Sequence, residues 1–199
     1  AGHAWAKEAG LKQDAIKVVR DNKTAGKIIL DGNAACALGA MFGGVQVLPW
    51  YPITPASSLA ETLIDYLEEY RHEADGKATY AVVQMEDELA SAGAVFGAGW
   101  AGARAMTTTS GPGISLMSEF IGLGYYTEIP GVFFNVARTG PSTGLPTRTM
   151  QGDVDICAKC SHGDTLHICL YPGNMEECFQ FTYQAFDLAE RYQTPVFVV

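Results

Sequence analysis

Three acidic residues in a row, Glu86-Asp87-Glu88, separate an apolar run from a helical segment built largely of alanine and glycine. A carboxylate at such a junction can hold a proton on a ring nitrogen of a bound heterocycle, acid–base chemistry exerted through a cofactor. One helix and one strand later comes Thr109-Ser110-Gly111-Pro112-Gly113, a turn whose free backbone N–H groups can face a ligand. Thr54, within Tyr51-Pro52-Ile53-Thr54-Pro55, offers a hydroxyl. Arg138, directly after Phe133-Phe134-Asn135-Val136-Ala137, offers a planar cation suited to a carboxylate. Each has a plainer reading. Acids in a first helical turn complement the helix dipole, and a threonine before proline caps a helix. Glycine turns many parallel sheets, and an arginine can simply pair at the surface.

The elements that must position these residues follow from periodicity. Apolar runs at 27–30, 45–50, 78–83, 104–109, 131–137, 166–170 and 195–199 have strand length, and segments of helical period lie between most of them. Helices are expected at 34–42, 87–101, 112–126 and 174–192, with another opened by Thr54 as N-cap and Pro55 at its first position. A polar Gly/Pro loop covers 139–150. This alternation predicts an α/β fold, a mainly parallel sheet with helices on both faces. Ligands of such sheets gather at the carboxyl ends of strands, where Thr54, Glu88, Ser110 and Arg138 all fall. Gly93, Gly97 and Gly99 in the 87–101 helix each cost up to about 1 kcal/mol relative to alanine, so a close neighbour is expected to pack there. That neighbour, from this chain or a partner subunit, would bury a carboxylate at the foot of the helix.

With 199 residues and 48% apolar content, the chain can bury one sizeable core. A net charge of −9 speaks against a nucleic-acid backbone or an anionic membrane as principal partner. No apolar run approaches the span of a bilayer, so a soluble, cytoplasmic protein is expected. Five cysteines make no disulfide framework, and Cys157-x-x-Cys160 lacks the second close pair of a zinc ribbon; buried thiols are expected there. Residues 1–26 read as a linker-like segment and 27–199 as a domain. A chain that stops on the apolar run 195–199 is expected to be part of a longer polypeptide, or a fold finished by another segment.

The motifs Tyr51-Pro52-Ile53-Thr54-Pro55-Ala56-Ser57-Ser58, Gln84-Met85-Glu86-Asp87-Glu88, Thr109-Ser110-Gly111-Pro112-Gly113 and Arg138-Thr139-Gly140-Pro141-Ser142-Thr143-Gly144 occur in an order and spacing that resemble a known family. They are similar to the alpha subunit of 2-oxoacid:ferredoxin oxidoreductases, over about 27–199, and more widely to the pyrimidine-binding domain of thiamine diphosphate enzymes. The resemblance implies that Glu88 bonds the aminopyrimidine ring nitrogen and favours the imino form that deprotonates the thiazolium. Glu86 and Asp87 are weaker candidates for that place. It sets Pro52 and Ile53 beside the aminopyrimidine, Ser110 and Gly111 on the cofactor, and Thr54 and Arg138 on the 2-oxo acid. Thr139 stands where the family often has glycine or serine.

A Gly-Asp-Gly…Asn segment for the diphosphate is missing. A beta subunit is therefore expected to bring the diphosphate site, Mg2+ and iron–sulfur clusters. The activity implied is coenzyme A-dependent, reversible oxidative decarboxylation of a 2-oxo acid with ferredoxin as electron acceptor. The reading leans towards 2-oxoglutarate over pyruvate or branched 2-oxo acids. Another thiamine diphosphate decarboxylase or carboligase, or a non-catalytic Rossmann-like scaffold subunit, are the alternatives.

Overall fold

In the computed structural model, which describes residues 1–10, 16 and 18–199, every paired strand of the sheet runs parallel. β1 (Val47–Trp50) pairs with β2 (Ala81–Gln84). β3 (Met106–Thr109), β4 (Gly131–Asn135), β5 (Ile168–Leu170) and β6 (Pro195–Val198) form a second ladder in the order β3-β4-β6-β5. A single parallel bridge, Val47 to Ala105, joins the two, so the strands read β2-β1-β3-β4-β6-β5 across the molecule.

Seven helices are described: α1 (Gly2–Ala9), α2 (Gly32–Phe42), α3 (Ser57–Tyr70), α4 (Glu88–Trp100), α5 (Gly111–Tyr126), α6 (Val154–Ala158) and α7 (Met175–Tyr192). Strand residues alternate between two cores. Val132, Phe134, Val196 and Val198 point into a cluster with α2, α3 and α7. Phe133 and Phe197 point the opposite way, into a cluster with α4, α5 and α6. The period of two thus buries both faces, as a parallel sheet requires.

Local chemistry sets the helix starts. Asp31, Asp87 and Asn174 each accept a hydrogen bond from the backbone N–H three residues on, at 2.8, 2.7 and 2.9 Å. α4 and α5 interlock through paired glycines. A Cβ on Gly93 would stand 2.9 Å from Phe120 Cζ, and one on Gly124 would overlap the Phe96 ring. Each helix thus inserts a phenylalanine into a notch on the other, which is the packing reason for glycine inside both. Across the sheet, Arg104 at the entry to β3 ties down α7. Its Nη2 donates to Asp187 and Glu190 at 2.7 and 2.6 Å, and its Nη1 donates to Gly43 O at 2.6 Å.

Three expectations are corrected. Residues 27–30 form no strand; Ile29 is 99% exposed, because among the described residues the apolar run has no neighbouring strand to complete a ladder. Thr54 does not cap a helix. Ile53 O accepts from Ala56 N and Ser57 N in an intervening turn, and α3 begins at Ser57 behind Ala56. The short helix α6 was not expected at all. The segment 1–26, expected to be linker-like, contains α1, which buries no residue; its residues 11–15 and 17 lie outside the described ones. Among the described residues no helix is long and apolar enough to cross a membrane.

Candidate active site

The chain runs outward from β1 to β2, then returns across β1 to start β3 on its other side. The order therefore reverses between β1 and β3, and in open parallel sheets ligands bind outside the carboxyl ends at that point. At the amino end these two strands are joined: Gln46 N and Val47 N both donate to Arg104 O, at 2.8 and 3.1 Å. Past the Val47–Ala105 bridge no ladder links them among the described residues, and the loops that follow them carry Thr54 and Ser110.

The acidic triplet is sorted by burial. Glu86 is exposed, and Asp87 is occupied as the α4 N-cap. Glu88 alone is buried, at 6% exposure. Its side chain meets the Ser-Gly-Pro-Gly turn directly: a Cβ on Gly113 would stand 2.8 Å from Glu88 Cγ and would overlap Thr109 Oγ1. Gly113 is glycine because Glu88 and Thr109 fill the space a side chain needs. The acid at the foot of α4 and the turn at the head of α5 are therefore brought together.

Arg138 is buried after β4, and its Nη1 donates to Thr54 O at 2.9 Å. Its Nε, together with Ser110 Oγ and Asn135 Oδ1, is buried without a partner among the described residues. Such groups are costly unless something binds them. A cleft of about 350 Å³ opens beside them, with Gly111, Pro112, Arg138, Thr139, Asp153 and Ile156 in its walls. Glu88, Ser110, Pro52, Ile53 and Thr54 are not in that lining. Pro52 and Thr54 are exposed and Ile53 is half-buried. The Thr54 hydroxyl, freed from capping, stays available. Thr139 fastens its loop, since its N–H and Oγ1 both donate to Arg148 O, at 2.8 and 3.1 Å.

A buried carboxylate at Glu88 and an unpartnered hydroxyl at Ser110 suit the nitrogens of an aminopyrimidine. The residues present thus fit the pyrimidine half of thiamine diphosphate. Among the described residues no cluster of three or more His, Cys, Asp or Glu is arranged to hold a metal ion. Cys157 in α6 and Cys160 just after it are both buried thiols, as expected.

Sequence reading missed Asp153 as a wall of the cleft. Its Oδ2 accepts from Asn135 Nδ2 at 3.0 Å. The available signal was Asn135 itself, a polar residue closing the buried strand Gly131-Val132-Phe133-Phe134-Asn135.

Comparison with known proteins places the chain. The family model for the thiamine diphosphate-binding part of pyruvate flavodoxin/ferredoxin oxidoreductase matches residues 38–199. The 2-oxoglutarate synthase subunit KorA of Methanocaldococcus jannaschii is 46% identical over 170 residues, 85% of this chain and 44% of that protein. The alpha subunit of 2-oxoacid:ferredoxin oxidoreductase 1 from Sulfurisphaera tokodaii is 47% identical over 171 residues, 84% of this chain and 27% of that protein. A solved 2-oxoglutarate:ferredoxin oxidoreductase from Magnetococcus marinus, with 2-oxoglutarate, coenzyme A and succinyl-CoA bound, superposes with a TM-score of 0.85 at 40% identity. That match covers 99% of this chain and 33% of the other. The chain spans less than half the length of each of these relatives.

Proposed function

This chain belongs to the pyruvate flavodoxin/ferredoxin oxidoreductase family through its thiamine diphosphate-binding domain, and on that footing we propose that it builds the pyrimidine side of a 2-oxoacid:ferredoxin oxidoreductase active site. The domain is taken as residues 27–199. The reaction is reversible oxidative decarboxylation of a 2-oxo acid with coenzyme A, passing electrons to ferredoxin. 2-Oxoglutarate is the favoured substrate, supported by relatives named for it and by a structural neighbour that holds it. A beta subunit supplies the diphosphate site, Mg2+ and iron–sulfur clusters, in a cytoplasmic complex.

Thiamine diphosphate, when bound, supplies the nucleophilic ring carbon and the electron sink for decarboxylation. Glu88 holds a proton at a ring nitrogen of the aminopyrimidine from its buried place under Gly113. Ser110 Oγ and the Gly111 backbone face the same heterocycle, with Pro52 and Ile53 as its apolar neighbours. Arg138, steadied through Nη1 by the Thr54 carbonyl, keeps its Nε edge for the substrate carboxylate. The Thr54 hydroxyl bonds the substrate's carbonyl oxygen. Packing against the turn at Gly113 keeps bulk water from Glu88.

The observation that carries the reading is the burial of Glu88, alone among three adjacent acids, against the glycine turn. The test is Glu88→Gln in the complex reassembled with its partner subunit. General acid–base contributions run to about 10²–10⁴-fold, so turnover should fall at least about 100-fold. Exchange of the cofactor's acidic ring proton with deuterium should slow in parallel, with cofactor still bound. Unchanged exchange and turnover would return the chain to a scaffold role.

A further inference from the structure

Asn135 closes a strand buried along its whole length and is itself 1% exposed. Its amide is oriented by one neighbour. Nδ2 donates to Asp153 Oδ2 at 3.0 Å and lies 3.5 Å from Cys157 Sγ, while Oδ1 has no partner among the described residues. Reversing the amide would set two oxygens against each other, so Asp153 fixes which end faces it. Asp153 also lies close against Gly111. Its Oδ2 and Oδ1 lie 2.8 and 3.1 Å from the point where a Cβ on Gly111 would stand. A side chain at the first glycine of the turn would crowd the Asp153 carboxylate.

These contacts close a ring. The chain leaves β4 at Asn135, reaches Arg138 three residues on, loops through 139–152 and returns at Asp153 to the same Asn135. Arg138 and Asp153 both stand in the walls of the cleft. We propose that Asn135 and Asp153 are a positioning pair: their hydrogen bond clasps the 139–153 loop to the end of β4 and fixes the wall of the cleft that confines a 2-oxo acid whose carboxylate rests on Arg138. The pair acts through the loop and through Gly111, and it touches neither proton nor electron. This rests on the cleft being the 2-oxo acid site.

The test uses the reassembled complex with Asn135→Ala, Asp153→Ala, Asp153→Asn and the double alanine variant. Asparagine at 153 keeps an acceptor for Asn135 Nδ2 and loses only the charge. Loss of one buried hydrogen bond should raise KM for 2-oxoglutarate about tenfold in each alanine variant, with kcat held within about threefold. The double variant should be no worse than either single one, since both remove one interaction. Asp153→Asn should stay within about threefold of the parent. Backbone amide exchange across 139–153 should quicken about tenfold in the alanine variants and not in Asp153→Asn. Additive alanine effects, an unchanged KM, or Asp153→Asn as damaging as Asp153→Ala would overturn the pair. Should the parent complex turn over no 2-oxo acid, the functional reading fails instead. The exchange pattern then still decides the clasp: unaltered exchange in the alanine variants refutes it, and quickening only there upholds it.

Discussion

Arg138 Nη1 and the carbonyl oxygen of Thr54 are 2.9 Å apart, joining the loop after β4 to the loop after β1 over the carboxyl end of β3. The bond spans 84 residues of sequence and secures one side of the guanidinium.

Arg138→Lys keeps the charge and loses the fork. A lysine can satisfy the Thr54 carbonyl or a substrate carboxylate, and its single ammonium cannot present two parallel donors while doing so. Losing a charge-assisted bond of about 1.5–3 kcal/mol should raise KM for the 2-oxo acid roughly 10–150-fold. Initial-rate measurements on the reassembled complex check this.

Gly113→Ala and Gly97→Ala should differ in sign. A methyl at 113 collides with Thr109 Oγ1 and Glu88 Cγ, whereas one at 97 meets nothing within 4 Å. Overpacking at 113 should cost about 1–3 kcal/mol and displace Glu88, so turnover falls with stability. At 97 an alanine in a helix interior should gain about 0.5–1 kcal/mol. Urea midpoints of the two variants decide it.

Arg104→Ala should loosen α7 from the sheet. The variant strands the Gly43 carbonyl and two carboxylates, Asp187 and Glu190. The side chain is 27% exposed and the carboxylates more so, so solvent weakens the ion pairs. A loss of about 1–2 kcal/mol in unfolding free energy is expected, most of it from the carbonyl bond and the packed stem.

Alkaline conditions should weaken the fold near α6. Burial pushes the Cys157 thiol up to about 12 and the Cys160 thiol up to about 11, from an ordinary value of 9.0. Above pH 9 the unfolded chain has released protons that the folded one retains, so the unfolded state binds fewer and stability falls as pH rises. The slope approaches about 1.4 kcal/mol per pH unit for each thiol until the folded thiols ionise. Unfolding midpoints between pH 8 and about 11 should drop in the parent and drop less in Cys157→Ala.

Alkylation should single out Cys178. A hydrogen bond from the Cys36 thiol lowers it, while Cys36 is itself raised by the same contact and by burial. Cys178 is half-buried, whereas Cys157 and Cys160 are fully enclosed. Brief iodoacetamide treatment at pH 7 should therefore label Cys178 first, as peptide mass analysis would record.

Much of this arrangement was legible in the residues because it is periodic or punctuated. Apolar runs located the six described strands, and α2, α3, α4, α5 and α7 were placed to within a few residues, whereas α6 was missed. Family resemblance alone set Glu88 above Glu86 and Asp87; periodicity could not, since register within a first helical turn depends on which side faces α5. Residues 27–30 misled because an apolar run becomes a strand only beside a partner, and none lies there among the described residues. Thr54 misled because a turn at 54–56 delays the helix. For the Asn135–Asp153 bond, only Asn135 gave a signal, a polar residue ending a buried strand; its partner was hidden because it lies across an aperiodic loop.

The one-sided fastening of β1 to β3, at Arg104 O and nowhere beyond the Val47–Ala105 bridge among the described residues, has a bearing on how such a site can diversify. Where strands are zipped, their spacing is dictated by the peptide ladder and cannot be adjusted. Here the loop after β1 is held instead by an arginine from the loop after β4. The spacing of those loops can be changed through individual side chains while every strand pair stays in register.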